Sequence, residues 1–340
     1  MIMGSRLHMS RVLVCGPNWL GDSVMSMPAL QRLKARYPAA RLTLCVKPGL
    51  APLWEMHEAV DDVVPLGDGF SGAMRAARAV RARGVRRALV FPNSFRSALI
   101  PFAARVPERV GMRGHQRAWM LTDVTPAPVA DARRHQAWEY MTIAGLKDEE
   151  TLDDPRLRVP RTLRDACRAR FGLSEERVWT ALIPGAAYGP SKRWPPEHFA
   201  AVGRRLRDAR DAGVVVLGSD AEAPLCRRVA EETGGAALNL AGRTSLPEVT
   251  AVLSLCRCVV GNDSGGTHLA TAVGARVVTI FGITDPERTG PLGAGHRVIG
   301  PEGGRRSRDI PRDSDEARAR LAAIAPERVW EAVRELYGGG

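Results

Sequence analysis

The chain has 340 residues, which at roughly 150 residues per domain favours two domains. Apolar residues at 45% and charged residues at 25% exclude long disorder, and no apolar run approaches the roughly 18 residues of a membrane span. A formal net charge of +12 leaves open any acidic partner, whether nucleic acid, an anionic membrane or a phosphorylated substrate.

Short apolar runs alternate with helical segments from the start. Arg11–Cys15 reads as a buried strand, and Asp22–Arg36 follows it with helical periodicity. Further strands are predicted at 41–46, 62–66, 88–91 and 109–112, with Ala- and Arg-rich helical stretches between them. The polar stretch 151–161 carries two prolines and is the best linker. The alternation then restarts, with strands at 178–183, 213–217, 237–240, 258–261 and 276–281. Their helices fall at 195–210, 221–232, 246–255 and 267–273. Residues 300–315 are polar and Arg-rich and read as a loop, and a final helix over 326–337 starts at a proline. This pattern is α/β: two Rossmann-like, doubly wound parallel domains at 10–155 and 160–340, with a last helix that can return to the first domain. Ligands of open α/β sheets bind at the carboxyl ends of the strands, so two such domains present their sites across an interdomain cleft.

The six cysteines include no C-x-x-C pair and sit mostly in apolar runs, which fits reduced, buried thiols in a cytosolic protein rather than disulfides or zinc. No metal site is expected. The N-terminal stretch has no continuous apolar core of signal-peptide length.

The chemistry-bearing residues fall in strand-to-helix loops. After the first strand comes Gly16-Pro17-Asn18-Trp19-Leu20-Gly21-Asp22-Ser23, a near match to the P-loop in which Asp22 replaces the lysine. A carboxylate there would repel phosphates, so a nucleoside-triphosphatase is excluded. Asp22 is either a helix cap or a general base able to take a proton from a hydroxyl. The loops Phe91–Ser97 and Gly111–Arg117 place Asn93, Ser94, Arg96 and Arg113 on the same rim, as candidates for acceptor binding or as ordinary loop residues.

In the second half, Pro184–Pro195 holds Ser191 and Lys192. Lysine is scarce, four against 45 arginines, and a compact ammonium suits stabilisation of a departing diphosphate. Glu222, in the first turn after a strand, is placed either to favour the helix or to bind ribose hydroxyls. Gly261–His268 opens a helix with glycines and hydroxyls, and Ser264, Gly265, Gly266 and Thr267 form an anion site there, while Asp263 beside it cannot help a phosphate and is placed to bind sugar hydroxyls or orient the loop. His268 reads as structural.

Four strings carry a family resemblance: GPNWLGDSVMSMPAL (16–30), FPNSFRSAL (91–99), PGAAYGPSKRWP (184–195) and NDSGGTHLATA (262–272). In this order they resemble glycosyltransferase family 9, and most of all its lipopolysaccharide heptosyltransferase branch, from about residue 11 to the C-terminus. The resemblance implies a GT-B fold and an inverting transfer of heptose from ADP-L-glycero-D-manno-heptose to the first heptose of the lipopolysaccharide inner core on Kdo-lipid A. The address implied is the cytosolic membrane face. Asp22 then matches the family's base, Lys192 its phosphate-contacting lysine, and Asp263, Ser264 and Gly265 its donor loop, while Glu222 lies near the ribose-binding acid. No cofactor is required on this reading, since ADP-heptose is a substrate. Two departures stand out. Gly266-Thr267 replaces larger apolar residues, and 300–315 lacks the Cys- and His-containing segment of many relatives. Competing readings are a family member with another acceptor or sugar, a nicotinamide oxidoreductase, and a basic nucleic-acid binder. The absent G-x-G-x-x-G weighs against the oxidoreductase, and the 5% aromatic content and scattered basic residues against the nucleic-acid binder.

Overall fold

A computed structural model of the chain describes residues 9–114, 116–126, 134–147, 149–208, 212–235, 237–302 and 314–338. The chain divides into two compact units, Met1–Arg158 and Val159–Gly340, so the break falls inside the predicted linker.

The first unit runs β1 (Arg11–Cys15), α1 (Leu20–Arg36), β2 (Arg41–Val46), α2 (Ala51–Glu55), β3 (Asp62–Pro65), α3 (Gly69–Ala82), β4 (Arg87–Val90), α4 (Phe95–Ala103), β5 (Glu108–Met112), β6 (Asp123–Thr125) and α5 (Ala137–Ile143). Its six strands are all parallel, in the order β3-β2-β1-β4-β5-β6. Such strands are covered on both faces, which is why β1 reads as the continuous apolar run VLVC with every residue buried. Gly16 ends it against β2, where an added Cβ would lie 2.6 Å from Val46 Cγ1. The short edge strand β6, three residues with two exposed, is absent from the sequence reading because it has no apolar run to announce it.

The second unit runs α6 (Arg161–Phe171), β7 (Val178–Ile183), α7 (Pro196–Asp208), β8 (Ala212–Val216), α8 (Ala223–Glu232), β9 (Leu238–Asn239), α9 (Leu246–Ser254), β10 (Cys256–Asn262), α10 (Gly265–Ala272), β11 (Arg276–Ile280), α11 (Pro286–Thr289), β12 (Arg297–Ile299), α12 (Asp315–Ala322) and α13 (Pro326–Gly338). It repeats the pattern with the order β12-β11-β10-β7-β8-β9, again all parallel. The last helix, α13, follows Ile324. Its buried face, Val329, Ala332, Val333 and Leu336, packs into the second unit's core with Leu182, Phe199 and Val260. Of the predicted 300–315 loop, residues 303–313 lie outside the described residues. Its end is helical, with Ser314 capping α12 through its side chain.

All six cysteines are buried and unbridged. Burial pushes the Cys45, Cys226 and Cys258 thiols up to about 12, so they behave as small apolar groups. Among the described residues no helix is long and apolar enough to cross a membrane.

Candidate active site

Each sheet has one point where the strand order reverses, between β1 and β4 in the first and between β10 and β7 in the second. At such a point neighbouring strand-to-helix loops leave in opposite directions and open a crevice that is the usual ligand site. Most candidate residues sit in the loops that flank these two points, and Arg113 and Glu222 follow the next strands out, β5 and β8.

In the second unit the loops after β7 and β10 are locked together. Asn262, fully buried at the end of β10, donates from Nδ2 to the Pro184 carbonyl (2.8 Å) and accepts at Oδ1 from the Trp194 amide (2.9 Å). Trp194 is also fully buried, and its indole N–H donates to the Ile324 carbonyl at 2.9 Å, so the turn after α12 buttresses the loop from below. Above this frame Lys192 Nζ donates to Asp263 Oδ2 at 2.7 Å, with both side chains only 14% and 10% exposed. The Thr284 hydroxyl donates to the same oxygen at 2.6 Å. Lys192 also lies 5.1 Å from the ring centroid of half-exposed Tyr188.

The N-terminus of α10 adjoins this pair. Ser264 is its N-cap, and Thr267 Oγ1, in the first turn, accepts from the Ser264 amide and donates to the Asn262 and Ser264 carbonyls. Among the described residues Ser191 Oγ and Ser264 Oγ are buried without a hydrogen-bond partner, Ser264 Oγ facing the Thr267 amide in a loose capping box. Two unpaired hydroxyls, an ammonium and a helix N-terminus together form a set of donors suited to an anion. Gly266 packs directly on Ile183, where a Cβ would lie 2.9 Å from Cδ1. His268 is buried inside α10, which agrees with a structural role.

Glu222 reaches the same place from β8. Its Oε2 accepts from the Ser219 amide (2.9 Å) and hydroxyl (2.7 Å), which closes a capping box. Its Oε1 lies where a Cβ on Gly185 would be, 2.1 Å away. Gly185 is therefore the residue that lets the carboxylate reach the donor loop.

In the first unit Asp22 lies in the first turn of α1. The N-cap position of α1 is Trp19, and Asp22 is the acid of the first turn. Gln136 Nε2 donates to Asp22 Oδ1 at 3.1 Å and to Tyr140 Oη at 3.0 Å. Burial, reinforced by the Asp22 charge, drives the Tyr140 hydroxyl well above its usual range, so it stays protonated. Tyr140 packs on Phe91 with ring centroids 5.0 Å apart, which ties Asp22 to the loop after β4.

That loop is organised by Arg117. Its guanidinium is fully buried, and burial lowers its pKa. It donates to the Met112 carbonyl (2.8 Å from Nη2), to Asn93 Oδ1 (3.1 Å), to the Ser94 carbonyl (3.3 Å) and to the Pro92 carbonyl. Of the residues expected on this rim, Ser94 caps α4 by accepting from the Ser97 amide. Arg96 donates to the Gly67 carbonyl, and Arg113 is exposed. Asn93 is exposed with its oxygen held, so its amide N–H groups face the rim. His115, in the same loop, lies outside the described residues.

Against known proteins, the profile of glycosyltransferase family 9 (heptosyltransferase) matches residues 73–312. The chain belongs to this family. It is 35% identical to lipopolysaccharide heptosyltransferase 2 of Salmonella typhimurium over 96% of its own length and 98% of that protein, and 34% identical to the Escherichia coli protein of the same name over the same shares. Its fold superposes on the structure of E. coli ADP-heptose lps heptosyltransferase II with a TM-score of 0.86 and 30% identity, covering 97% of this chain and 99% of that one. The two doubly wound units are thus the pair of a GT-B fold, and the protein is a glycosyltransferase.

Within each unit the structure brings the predicted residues together. Lys192, Asp263, Ser191, Glu222 and the α10 terminus gather in the second, and Asp22 and Asn93 are joined through neighbours in the first. Sequence reasoning missed Gln136, Arg117, Thr284 and Asn262 as organisers. Asn262 and Arg117 stood inside the loops singled out above without a role of their own. Gln136 lies 114 positions from Asp22 in a stretch without any motif.

Proposed function

We propose that the protein transfers L-glycero-D-manno-heptose from ADP-heptose to the first heptose of the lipopolysaccharide inner core, carried on a Kdo-lipid A-type glycolipid, at the cytosolic membrane face. The observation that carries this reading is the Lys192–Asp263 pair with two unpartnered hydroxyls at the α10 N-terminus, a built anion site at a switch point. The names of the relatives supply the sugar and the acceptor class.

The second unit holds the donor. An ammonium has three donors, of which Asp263 takes one, so the others serve the diphosphate while the ion pair fixes their direction. Ser191, Ser264, Gly265, Gly266 and Thr267 complete the phosphate cradle, and Glu222 accepts from ribose hydroxyls. Asp263 repels the diphosphate by itself. With Lys192 neutralising it, its second oxygen accepts from a hydroxyl of the transferred sugar.

The first unit holds the acceptor, with Asn93, Ser94, Arg96 and Arg113 on its rim. Asp22 removes the proton of the acceptor hydroxyl as that oxygen attacks the anomeric carbon. The bond from that carbon to the diphosphate oxygen breaks, ADP leaves with the electron pair, and the anomeric centre inverts. Gln136 donates to one oxygen of the carboxylate and orients it. Charge on the leaving ADP is met by Lys192 and the helix N-terminus, so this mechanism calls for no cofactor or metal. Nucleic acid has no place in it.

The test is incubation of the purified protein with ADP-heptose and a heptose-Kdo-terminated acceptor. The reading predicts one added heptose of inverted configuration and stoichiometric ADP. An unmodified acceptor, alongside glycosylation of an acceptor lacking the first heptose, assigns the chain to another acceptor within the family.

A further inference from the structure

The first unit exposes a cluster of aromatic side chains that the site does not use. Trp119 is 62% exposed, Phe95 44% and Phe102 37%. The three rings touch, with centroids of Trp119 and Phe102 5.0 Å apart and of Trp119 and Phe95 6.4 Å apart. Arginines lie beside the rings, with exposed Asp123 further along the Trp119 segment. Arg109 lies 5.6 Å from the Phe102 ring centroid, and Arg105 and Arg113, on the two chain segments that carry the rings, are exposed. The nearby acid Glu108 is already paired with Arg87 at 3.5 Å.

The cluster is fastened to the acceptor rim. Phe95 directly follows Ser94, the cap of α4, and Trp119 follows Arg117, whose guanidinium clasps the Asn93–Ser94 turn. Rings and rim therefore keep a fixed relation.

We propose that this aromatic and arginine patch is the surface by which the protein docks on an anionic lipid bilayer. Amphipathic rings settle at the headgroup boundary, and neighbouring arginines meet lipid phosphates. A second copy of the chain is the poorer occupant. Three partly exposed rings of about 150–250 Å² each fall well short of the ~800 Å² per partner that a stable dimer buries. The patch also explains how a soluble fold meets a hydroxyl anchored in a membrane: it sets the acceptor rim at the lipid surface. This rests on the reading of a lipid-linked acceptor, yet lipid binding is measured without any transfer.

The experiment is co-sedimentation of the full chain with vesicles of phosphatidylcholine alone or with about one third phosphatidylglycerol, at low and high salt. The expected result is preferential binding to the anionic vesicles, weakened by salt. Trp119→Ala lowers that binding roughly tenfold and Arg105→Glu roughly fivefold or more. Both variants keep the wild-type rate on a soluble, deacylated acceptor and lose rate only on acceptor embedded in vesicles. Equal binding to neutral and anionic vesicles, or unchanged binding by both variants, overturns the proposal. So does a concentration-dependent dimer that Trp119→Ala abolishes, which would give the patch to a second copy. Normal vesicle binding without heptose transfer leaves the patch standing and removes the heptosyltransferase reading instead.

Discussion

At the second unit's switch point a cation and an anion are buried against each other, Lys192 and Asp263. At the first, the buried cation Arg117 is met by carbonyl and amide oxygens, and the carboxylate, Asp22, is held by the neutral amide of Gln136. The folds around the two points are near copies, so the difference lies in the side chains. In the second unit the charges cancel locally, and the donors left over are two hydroxyls, spare ammonium protons and a helix N-terminus, the set that receives an anion. In the first, the amide of Gln136 orients the carboxylate that the proposed proton transfer uses. A repeated scaffold is thus divided into an anion cradle and a base.

Four substitutions probe this division, and the largest effect falls on the base. Asp22→Asn keeps the shape and the Gln136 contact geometry but cannot take a proton. It lowers kcat by about 10² to 10⁴, read in a transfer assay, while the melting temperature is unchanged. Turnover near wild type in the folded variant removes Asp22 from the chemistry.

Lys192→Ala comes next. It removes the diphosphate's ammonium and leaves the Asp263 carboxylate nine-tenths buried with only the Thr284 hydroxyl described beside it. Donor affinity and kcat both fall, each by about 10-fold or more, and stability falls too, as expected when one partner of a buried pair is lost. Calorimetry with ADP, together with thermal unfolding, separates the two losses.

Asn262→Ala strikes the frame under the cradle. It strands the Trp194 amide and the Pro184 carbonyl, two buried backbone groups, at about 2–3 kcal/mol. Thermal unfolding should show a Tm lower by roughly 5–10 °C, with donor KM raised more than kcat is lowered. A Tm within a degree of wild type would mean the two loops are held by other contacts.

The smallest effect is expected for Gln136→Leu. It frees the orientation of Asp22 without touching its charge, so kcat falls about tenfold and ADP affinity stays the same. If ADP affinity changes as well, the two sites are not independent in the way proposed.

Much of this organisation is written locally. The apolar runs VLVC and VWTALI are strands because both faces of a parallel sheet are covered, and the helices that follow them show ordinary periodicity. Lys192 stood out because lysine is rare in this chain. Asp22 stood out because it occupies the lysine position of a phosphate loop. What escaped has physical reasons as well. The edge strands β6 and β12 are only three residues long and largely or partly exposed, and α12 starts inside a polar, Arg-rich stretch. Arg117 is an arginine among 45, and nothing in its neighbourhood says that it is fully buried. Gln136 acts at a distance of more than a hundred residues, which only the packing of α5 on α1 reveals.

The division between cradle and base is tested most directly by titrating ADP, in a calorimeter, into the wild-type protein, Asp22→Asn and Lys192→Ala. The account predicts that Asp22→Asn binds ADP within about twofold of wild type while Lys192→Ala binds it at least about tenfold more weakly. Equal affinity in all three proteins, or a loss confined to Asp22→Asn, would contradict it.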